Sequence, residues 1–122
     1  MTTVRRSAPI FPASDLDAAL AHYRRLGFTT RRCAGGGYGY ANRDGVEIHL
    51  AAGGRIGPDA TMSAAYLWVD DADALAEEWS AAGVIVRAPA DTDWGLHEGI
   101  HVDPDGNLIR FGSPLQPGGH GR

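Results

Sequence analysis

The chain has 122 residues, of which 43% are hydrophobic and 21% are charged, so it can bury the core of one small globular domain. Its formal net charge is −4 and it contains no basic run, which argues against nucleic acid as a partner and favours a cationic ligand. The sequence has no apolar run of membrane-spanning length, and no apolar segment follows the charged N-terminus. We therefore expect a bacterial cytoplasmic protein with no membrane partner.

The first half of the chain predicts one helix among four strands. Val4–Phe11 has the character of a strand, and Pro9 restricts it to a sheet edge or to an exchange between chains. Ser14–Asp15 begins a helix with apolar residues at helical spacing, and Gly27 ends it. A hairpin turn is expected at 42–45. The remaining strands are expected at Thr29–Cys33, Tyr38–Asn42 and Glu47–Ala51.

The second half of the chain repeats this order. Ser7–Phe28 aligns without a gap on Ser63–Val84, and Arg43–Leu50 aligns on Pro104–Phe111. Each copy should therefore be one supersecondary unit. A loop at 53–60 links the halves. The expected elements are the strand Ala64–Val69, the helix Asp71–Ala82 and the strands Val84–Arg87, Glu98–Val102 and Leu108–Phe111.

These elements predict an α+β fold made of two βαβββ repeats, at 4–52 and 62–112, within a single domain over 1–115. We expect a curved mixed sheet around a cleft, lined by positions that the repeat relates. The Gly-rich segment 116–122 is expected to be a flexible tail.

Aromatic side chains are the main candidates for a binding surface. Tyr66 and Trp68 share a strand face with Ala64, because side chains alternate along a strand, and would form a stacking platform in the cleft. Trp94 lies in a polar loop, where a core role is less expected. Ordinary core packing is the alternative for these rings, and it is the expectation for Trp79 on the second helix. Two further rings lie on a hairpin beside three glycines, Tyr38 and Tyr40.

The duplicated βαβββ pattern resembles the vicinal oxygen chelate family, which includes glyoxalase I, extradiol dioxygenases and antibiotic-binding proteins. Ser14–Asp17 and the turn Asp103–Asn107 resemble motifs of that family. Its enzymes hold a divalent metal on ligands from the first and last strands of each half. The resemblance carries those positions to Ala8, His49, Ala64 and Arg110. Because alanine has no donor atom and arginine is a fixed cation, we expect no metal and no cofactor.

A closer resemblance is to the bleomycin resistance proteins. Trp94–Glu98 followed by Asp103–Asn107 is similar to their Trp-Gly-x-x-Glu and Asp-Pro-x-Gly-Asn stretches, and Tyr66–Val69 resembles that subfamily too. Those proteins are not enzymes, and they sequester a cationic glycopeptide in grooves between two chains that exchange their N-terminal strands. The resemblance implies a homodimer that binds a small cationic and aromatic antibiotic of the bleomycin class and gives resistance.

The resemblance also implies that four aromatic residues line the groove, Tyr38, Tyr66, Trp68 and Trp94. The full set of candidate ligand-binding residues is Tyr38, Tyr40, His49, Tyr66, Trp68, Trp94, His97, Glu98, His101 and Arg110.

An enzyme of the same fold is the alternative. A metal-dependent lyase or dioxygenase could use ligands other than those of the family, namely His49, His97, His101 and Glu98. The repeat is taken to align His101 with Tyr40, which would direct His101 towards the cleft. A third possibility is a relative that shares only the fold and binds another small molecule, because fold does not fix function.

Overall fold

The computed structural model describes residues 1–53 and 63–115, which form two helices and eight strands. The chain divides into two compact units with one helix and four strands each. The predicted α+β class and the βαβββ order are therefore confirmed in both halves. The expected tail at 116–122 and the expected loop beyond residue 53 lie outside the described residues. That the halves form a single domain stays a prediction.

The first unit is a four-stranded mixed sheet with a helix on one face. Its elements are β1 (Ile10–Ala13), α1 (Leu16–Arg25), β2 (Thr29–Arg32), β3 (Tyr38–Arg43) and β4 (Val46–Ala52). The strand order is β1-β4-β3-β2, with β1 parallel to β4 and the other pairs antiparallel. The structure places the cap of α1 at Asp15, the second residue of the expected helix start Ser14–Asp15, where it accepts a hydrogen bond from the N–H of Ala18 at 3.1 Å.

Strand β1 lies at the sheet edge, as predicted, but it begins later than the expected Val4–Phe11. The carbonyl of Pro9 accepts a hydrogen bond from the N–H of His49 at 2.9 Å, and residues 1–7 are exposed. Proline has no N–H with which to extend the ladder towards the N-terminus. The expected start of this strand at Val4 was therefore wrong.

The second unit repeats the plan of the first. Its elements are β5 (Ala64–Trp68), α2 (Ala72–Ala81), β6 (Arg87–Asp91), β7 (Leu96–Val102) and β8 (Leu108–Pro114). The strand order is β5-β8-β7-β6, with β5 parallel to β8. The cap of α2 is Asp71, whose side chain accepts from the N–H of Ala74 at 3.0 Å.

The strand expected at Val84–Arg87 was misplaced, because β6 begins only at Arg87. The N–H of Val84 donates to the carbonyl of Trp79 at 3.0 Å as part of the turn that ends α2, and the Val84 side chain is buried. Gly83 makes this turn possible with a φ of 83°. Because the backbone N–H of Val84 bonds within the turn that ends the helix, it cannot also pair with the next strand.

The core of the second unit lies between α2 and one face of its sheet. Trp79 is fully buried, and its ring meets the rings of Phe111 at 5.3 Å and His101 at 5.8 Å between centroids. The prediction that Trp79 belongs to the core is confirmed. We call the opposite face of each sheet its helix-distal face. Within the described residues, neither helix is long and apolar enough to cross a membrane.

Candidate functional site

Five of the candidate residues lie together on the helix-distal face of the second sheet. Leu67 is the register partner of Phe111, whose ring packs against α2. Because side chains alternate along a strand, the neighbouring residues Tyr66, Trp68 and Arg110 point to the helix-distal face. The shared face that strand alternation predicted for the two rings of β5 is therefore confirmed. We call these residues the Glu98 cluster: Tyr66, Trp68, Trp94, Glu98 and Arg110.

The carboxylate of Glu98 is the centre of this cluster, and its side chain is only 8% exposed. The hydroxyl of Tyr66 donates to Glu98 Oε2 at 2.8 Å, and the indole Nε1 of Trp94 donates to the same oxygen at 3.1 Å. The guanidinium Nη1 of Arg110 lies 3.6 Å from Oε1. These partners compensate the burial of a charged group, and they hold two aromatic rings in fixed positions.

The hydroxyl of Tyr66 acts as a hydrogen-bond donor to Glu98. Burial, reinforced by the hydrogen bond to Glu98, raises the pKa of Tyr66 to about 12. The ring reaches Glu98 by crossing β8 at Gly112, where a Cβ would overlap the tyrosine hydroxyl. Sequence reasoning missed Gly112, although the repeat pairs it with another small residue, Ala51.

Two large rings of the cluster remain open to solvent. Trp68 is 69% exposed and Trp94 is 65% exposed, and the ring of Trp68 lies 5.0 Å from that of Tyr66. The loop that carries Trp94 is closed tightly, since Thr92 Oγ1 donates to the carbonyl of Leu96 at 2.9 Å and accepts from its N–H at 3.1 Å. The tryptophans are therefore exposed but held by a well-connected framework.

A second group of candidates lies on the helix-distal face of the first sheet, and we call it the His49 cluster: Tyr38, Tyr40, Glu47 and His49. The Tyr38 hydroxyl lies 2.8 Å from His49 Nδ1, and Glu47 Oε2 lies 2.7 Å from Nε2. The ring of Tyr40 is 4.7 Å from that of His49. The hydrogen bond from His49 lowers the pKa of Glu47 against the opposing effect of burial, and Arg6 adds to this lowering. Sequence reasoning missed Glu47.

The structure does not bring His97 to the Glu98 cluster. Its side chain points to the opposite face of β7, towards α2, because neighbouring residues of a strand face opposite ways. Nδ1 of His97 lies 2.7 Å from Asp91 Oδ1, and Nε2 lies 2.9 Å from Asp73 Oδ1. Sequence reasoning missed both aspartates: Asp73 is 24 residues from His97, and the pairing of Asp91 with His97 depends on the register of β6 and β7.

His101 also faces α2 and is 4% exposed. Its Nδ1 lies 2.8 Å from the carbonyl oxygen of Ile85. The alignment of His101 with Tyr40 was wrong by one residue. Tyr40 pairs with His49 in its sheet, and the equivalent pair in the second sheet joins Ile100 to Arg110. A shift of one residue moves the side chain to the other face of the sheet.

The donor groups do not fit the metal centre of the family's enzymes. Both ring nitrogens of His49 are engaged by neighbours, and the cationic Arg110 lies beside Glu98. The alternative ligand set fails within the second unit, because Glu98 faces away from His97 and His101. In residues 1–53 and 63–115, no group of three or more His, Cys, Asp or Glu side chains is arranged to hold a metal ion.

Known proteins similar to this chain point to one family. The family model described as the Glyoxalase/Bleomycin resistance protein/Dioxygenase superfamily matches residues 8–111. A bleomycin resistance protein from Klebsiella pneumoniae is 28% identical over 115 residues, which cover 87% of this chain and 90% of that protein.

Two solved structures extend the likeness to the fold. A bleomycin-binding protein complexed with bleomycin has a TM-score of 0.80 at 27% identity, over 90% of this chain and 98% of that one. A bleomycin resistance determinant encoded on the transposon Tn5 has a TM-score of 0.83 at 25% identity, over 93% of this chain and 100% of that one. Since the family model spans most of the sequence, this chain belongs to the Glyoxalase/Bleomycin resistance protein/Dioxygenase superfamily.

Proposed function

We propose that this protein binds a small cationic and aromatic antibiotic of the bleomycin class, sequesters it without modifying it, and thereby gives resistance. The observation that carries the proposal is that Trp68 and Trp94 are mostly exposed yet supported from below: Trp94 donates to the buried carboxylate of Glu98, and Trp68 lies against Tyr66, which donates to the same carboxylate. Exposed, fixed rings offer stacking surfaces to a planar ligand and attract a cation through their faces. The similar proteins that are named for bleomycin resistance or bleomycin binding support this choice of ligand.

The distribution of charge supports a cationic ligand. Residues 63–115 contain ten Asp and Glu residues against two arginines, whereas residues 1–53 contain four against seven. The Glu98 cluster lies in the strongly acidic half. A region of one charge sign raises the local concentration of an oppositely charged ligand and speeds its association, and salt weakens this effect.

We also propose that the His49 cluster contacts ligand. Tyr38, Tyr40 and His49 are all partly exposed on one sheet face, and their rings meet edge to face at 4.7–5.8 Å between centroids. This arrangement offers aromatic surface together with the Tyr38 hydroxyl. His97 and His101 do not enter the proposed contact set, because both side chains face α2.

The direct test is calorimetric titration with metal-free bleomycin and with copper(II)-bleomycin. We expect saturable binding of at least one form. After the protein is denatured, the recovered drug should have an unchanged mass, because sequestration involves no reaction. Elemental analysis of the purified protein serves as a control for the metal-dependent alternative. A lack of heat and of tryptophan quenching at high micromolar drug would overturn the proposed ligand, and a chemically altered drug would favour an enzyme.

We propose that the protein is a homodimer in which the N-terminal strand β1, through its open edge and the exposed residues before it, pairs with the partner chain. Residues 1–7 are exposed, Val4 by 88%, and β1 is an edge strand whose Ile10 is 57% exposed. An edge strand and exposed apolar side chains invite pairing with a second chain. A stable dimer should bury more than about 1,200 Å².

Light scattering at micromolar concentration should therefore give twice the chain mass of 12.9 kDa. A variant that lacks residues 2–8 is the matched control, and we expect it to shift towards the monomer. A monomeric full-length chain at this concentration would refute the dimer.

A further inference from the structure

His97 joins three elements of the second unit through two carboxylates. Asp73 lies in the first turn of α2, Asp91 is the last residue of β6, and His97 is near the start of β7. Both ring nitrogens lie within hydrogen-bond distance of an aspartate oxygen, at 2.7 Å and 2.9 Å, and the side chain is 12% exposed. The side chain therefore bridges the helix to the edge of the sheet.

The bridge needs two protons on the imidazole ring. A neutral imidazole carries a single N–H, so it can donate to only one carboxylate and turns a lone pair towards the other. Burial acts to lower the pKa of His97, but the hydrogen bonds to Asp73 and Asp91 outweigh it and raise that pKa. The same side of the sheet carries a pocket of about 640 Å³. His97 and Asp73 line this pocket with three further acidic residues, Asp70, Asp71 and Glu77.

The bridge lies at the base of the loop that carries Trp94. Asp91 and His97 are register partners at the end of the β6–β7 ladder. Between Arg87 and Ala90 that ladder has an irregular register, so the main-chain pairing of β6 is interrupted. The loop itself is closed by the hydrogen bonds of Thr92 with Leu96, so we expect a shift at its base to displace Trp94.

We propose that His97 is a positioning residue: its bridge from Asp73 to Asp91 holds the Trp94 loop where the indole donates to Glu98 when the ring carries two protons, and releases it when one is lost. The expected effect on ligand affinity rests on the proposed function, whereas the effect on Trp94 in the free protein does not. His97 itself touches no ligand in this arrangement.

The direction of the pH dependence follows from the bridge. A histidine whose folded pKa is raised stabilises the folded arrangement below its ordinary pKa, and this contribution is lost as the pH rises through the raised pKa. Bleomycin affinity should therefore fall as the pH rises from below the ordinary histidine pKa of about 6.5 through the raised pKa of His97. We expect a loss of at least about fivefold, the lower end of usual coupling between two sites.

The first experiment follows the indole N–H signals of the ligand-free protein by NMR as the pH is raised, with the Trp94 signal assigned by its absence in Trp94→Phe. We expect the Trp94 signal to move with the same midpoint as the His97 ring signals, while the Trp68 signal moves less. His97→Gln should abolish the movement. Asp91→Asn should lower the midpoint, and it keeps the proposal testable if His97→Gln does not fold.

The matched control is Asp93→Asn, which removes a carboxylate next to Trp94 but outside the bridge and should leave the midpoint unchanged. In a second experiment, bleomycin affinity is measured against pH for the wild type, His97→Gln and Asp93→Asn. The proposal would be overturned if the Trp94 signal did not change as His97 titrates. It would also be overturned if bleomycin affinity in His97→Gln had the same pH dependence as in the wild type. If Trp94 follows His97 but no bleomycin binds at any pH, the positioning role stands and the proposed function fails.

Discussion

Trp94→Ala is expected to weaken bleomycin binding by roughly thirtyfold or more, while the thermal unfolding temperature changes little. Truncating an aromatic anchor at a binding hot spot commonly removes about 2 kcal/mol or more, which corresponds to that factor. Stability should be nearly unaffected, because Trp94 is 65% exposed and its loop is closed by Thr92 and Leu96 without the ring. Calorimetric titration and thermal melts on the same preparation measure the two effects.

Trp94→Phe separates stacking from hydrogen bonding. It retains an aromatic ring but loses the N–H that donates to Glu98. If stacking dominates, this variant should bind far better than Trp94→Ala.

Trp68→Ala tests the same surface from β5 and should also weaken binding, since that ring is 69% exposed and meets Tyr66. Wild-type affinity in both alanine variants would exclude the Glu98 cluster as the ligand site.

Local signals explain how much of the fold could be predicted. The internal repeat gave the order of elements twice, and the caps at Asp15 and Asp71 and the helix-ending Gly27 and Gly83 each act within a few residues of the chain. The Asp44–Gly45 turn likewise needs only the positive φ of its two residues, 53° and 83°. Signals that act over a few residues can be recognised in the sequence without knowing which strands pair.

The elements that the sequence misplaced depend on pairing across the sheet. The residues before Pro9 have strand character, yet β1 starts only at Ile10, where pairing with β4 begins. Val84 is apolar and follows a helix, yet its N–H is used by the helix end rather than by β7. Strand propensity is a property of single residues, whereas a strand forms only where a neighbouring strand provides hydrogen-bond partners.

Candidate site residues were assigned to the correct sheet face where the alternation of the strand was aligned correctly. Tyr66 and Trp68 were assigned to one face from alternation, and the register with β8 bears this out. His101 was misassigned because the repeat was aligned one residue off in β7. Side chains alternate between the two faces of a strand, so an error of one residue places a side chain on the opposite face. The contact of His97 with Asp73 could not be predicted, since it depends on where α2 lies over the sheet.

Trp79→Ala should give the largest loss of stability, about 3–5 kcal/mol, because it leaves a cavity where a buried tryptophan had been. The ring is fully buried and meets Phe111 and His101 edge to face, so it joins α2 to both β8 and β7. For a chain whose total stability is of the order of 5–15 kcal/mol, the unfolding temperature should fall by about 10 °C or more. Thermal and urea melts measure the loss.

Trp68→Ala is the matched control, because it removes the same side chain from an exposed position of the same unit. Its effect on stability should stay within about 0.5 kcal/mol, as for most surface substitutions. Trp79→Phe should lie between the two, since it keeps a ring against Phe111. Below its melting temperature, Trp79→Ala should still bind bleomycin, because Trp79 packs on the face opposite the Glu98 cluster. If Trp79→Ala instead loses binding while it remains folded, the ligand site lies on the helix side of the sheet and the assignment to the helix-distal face is wrong.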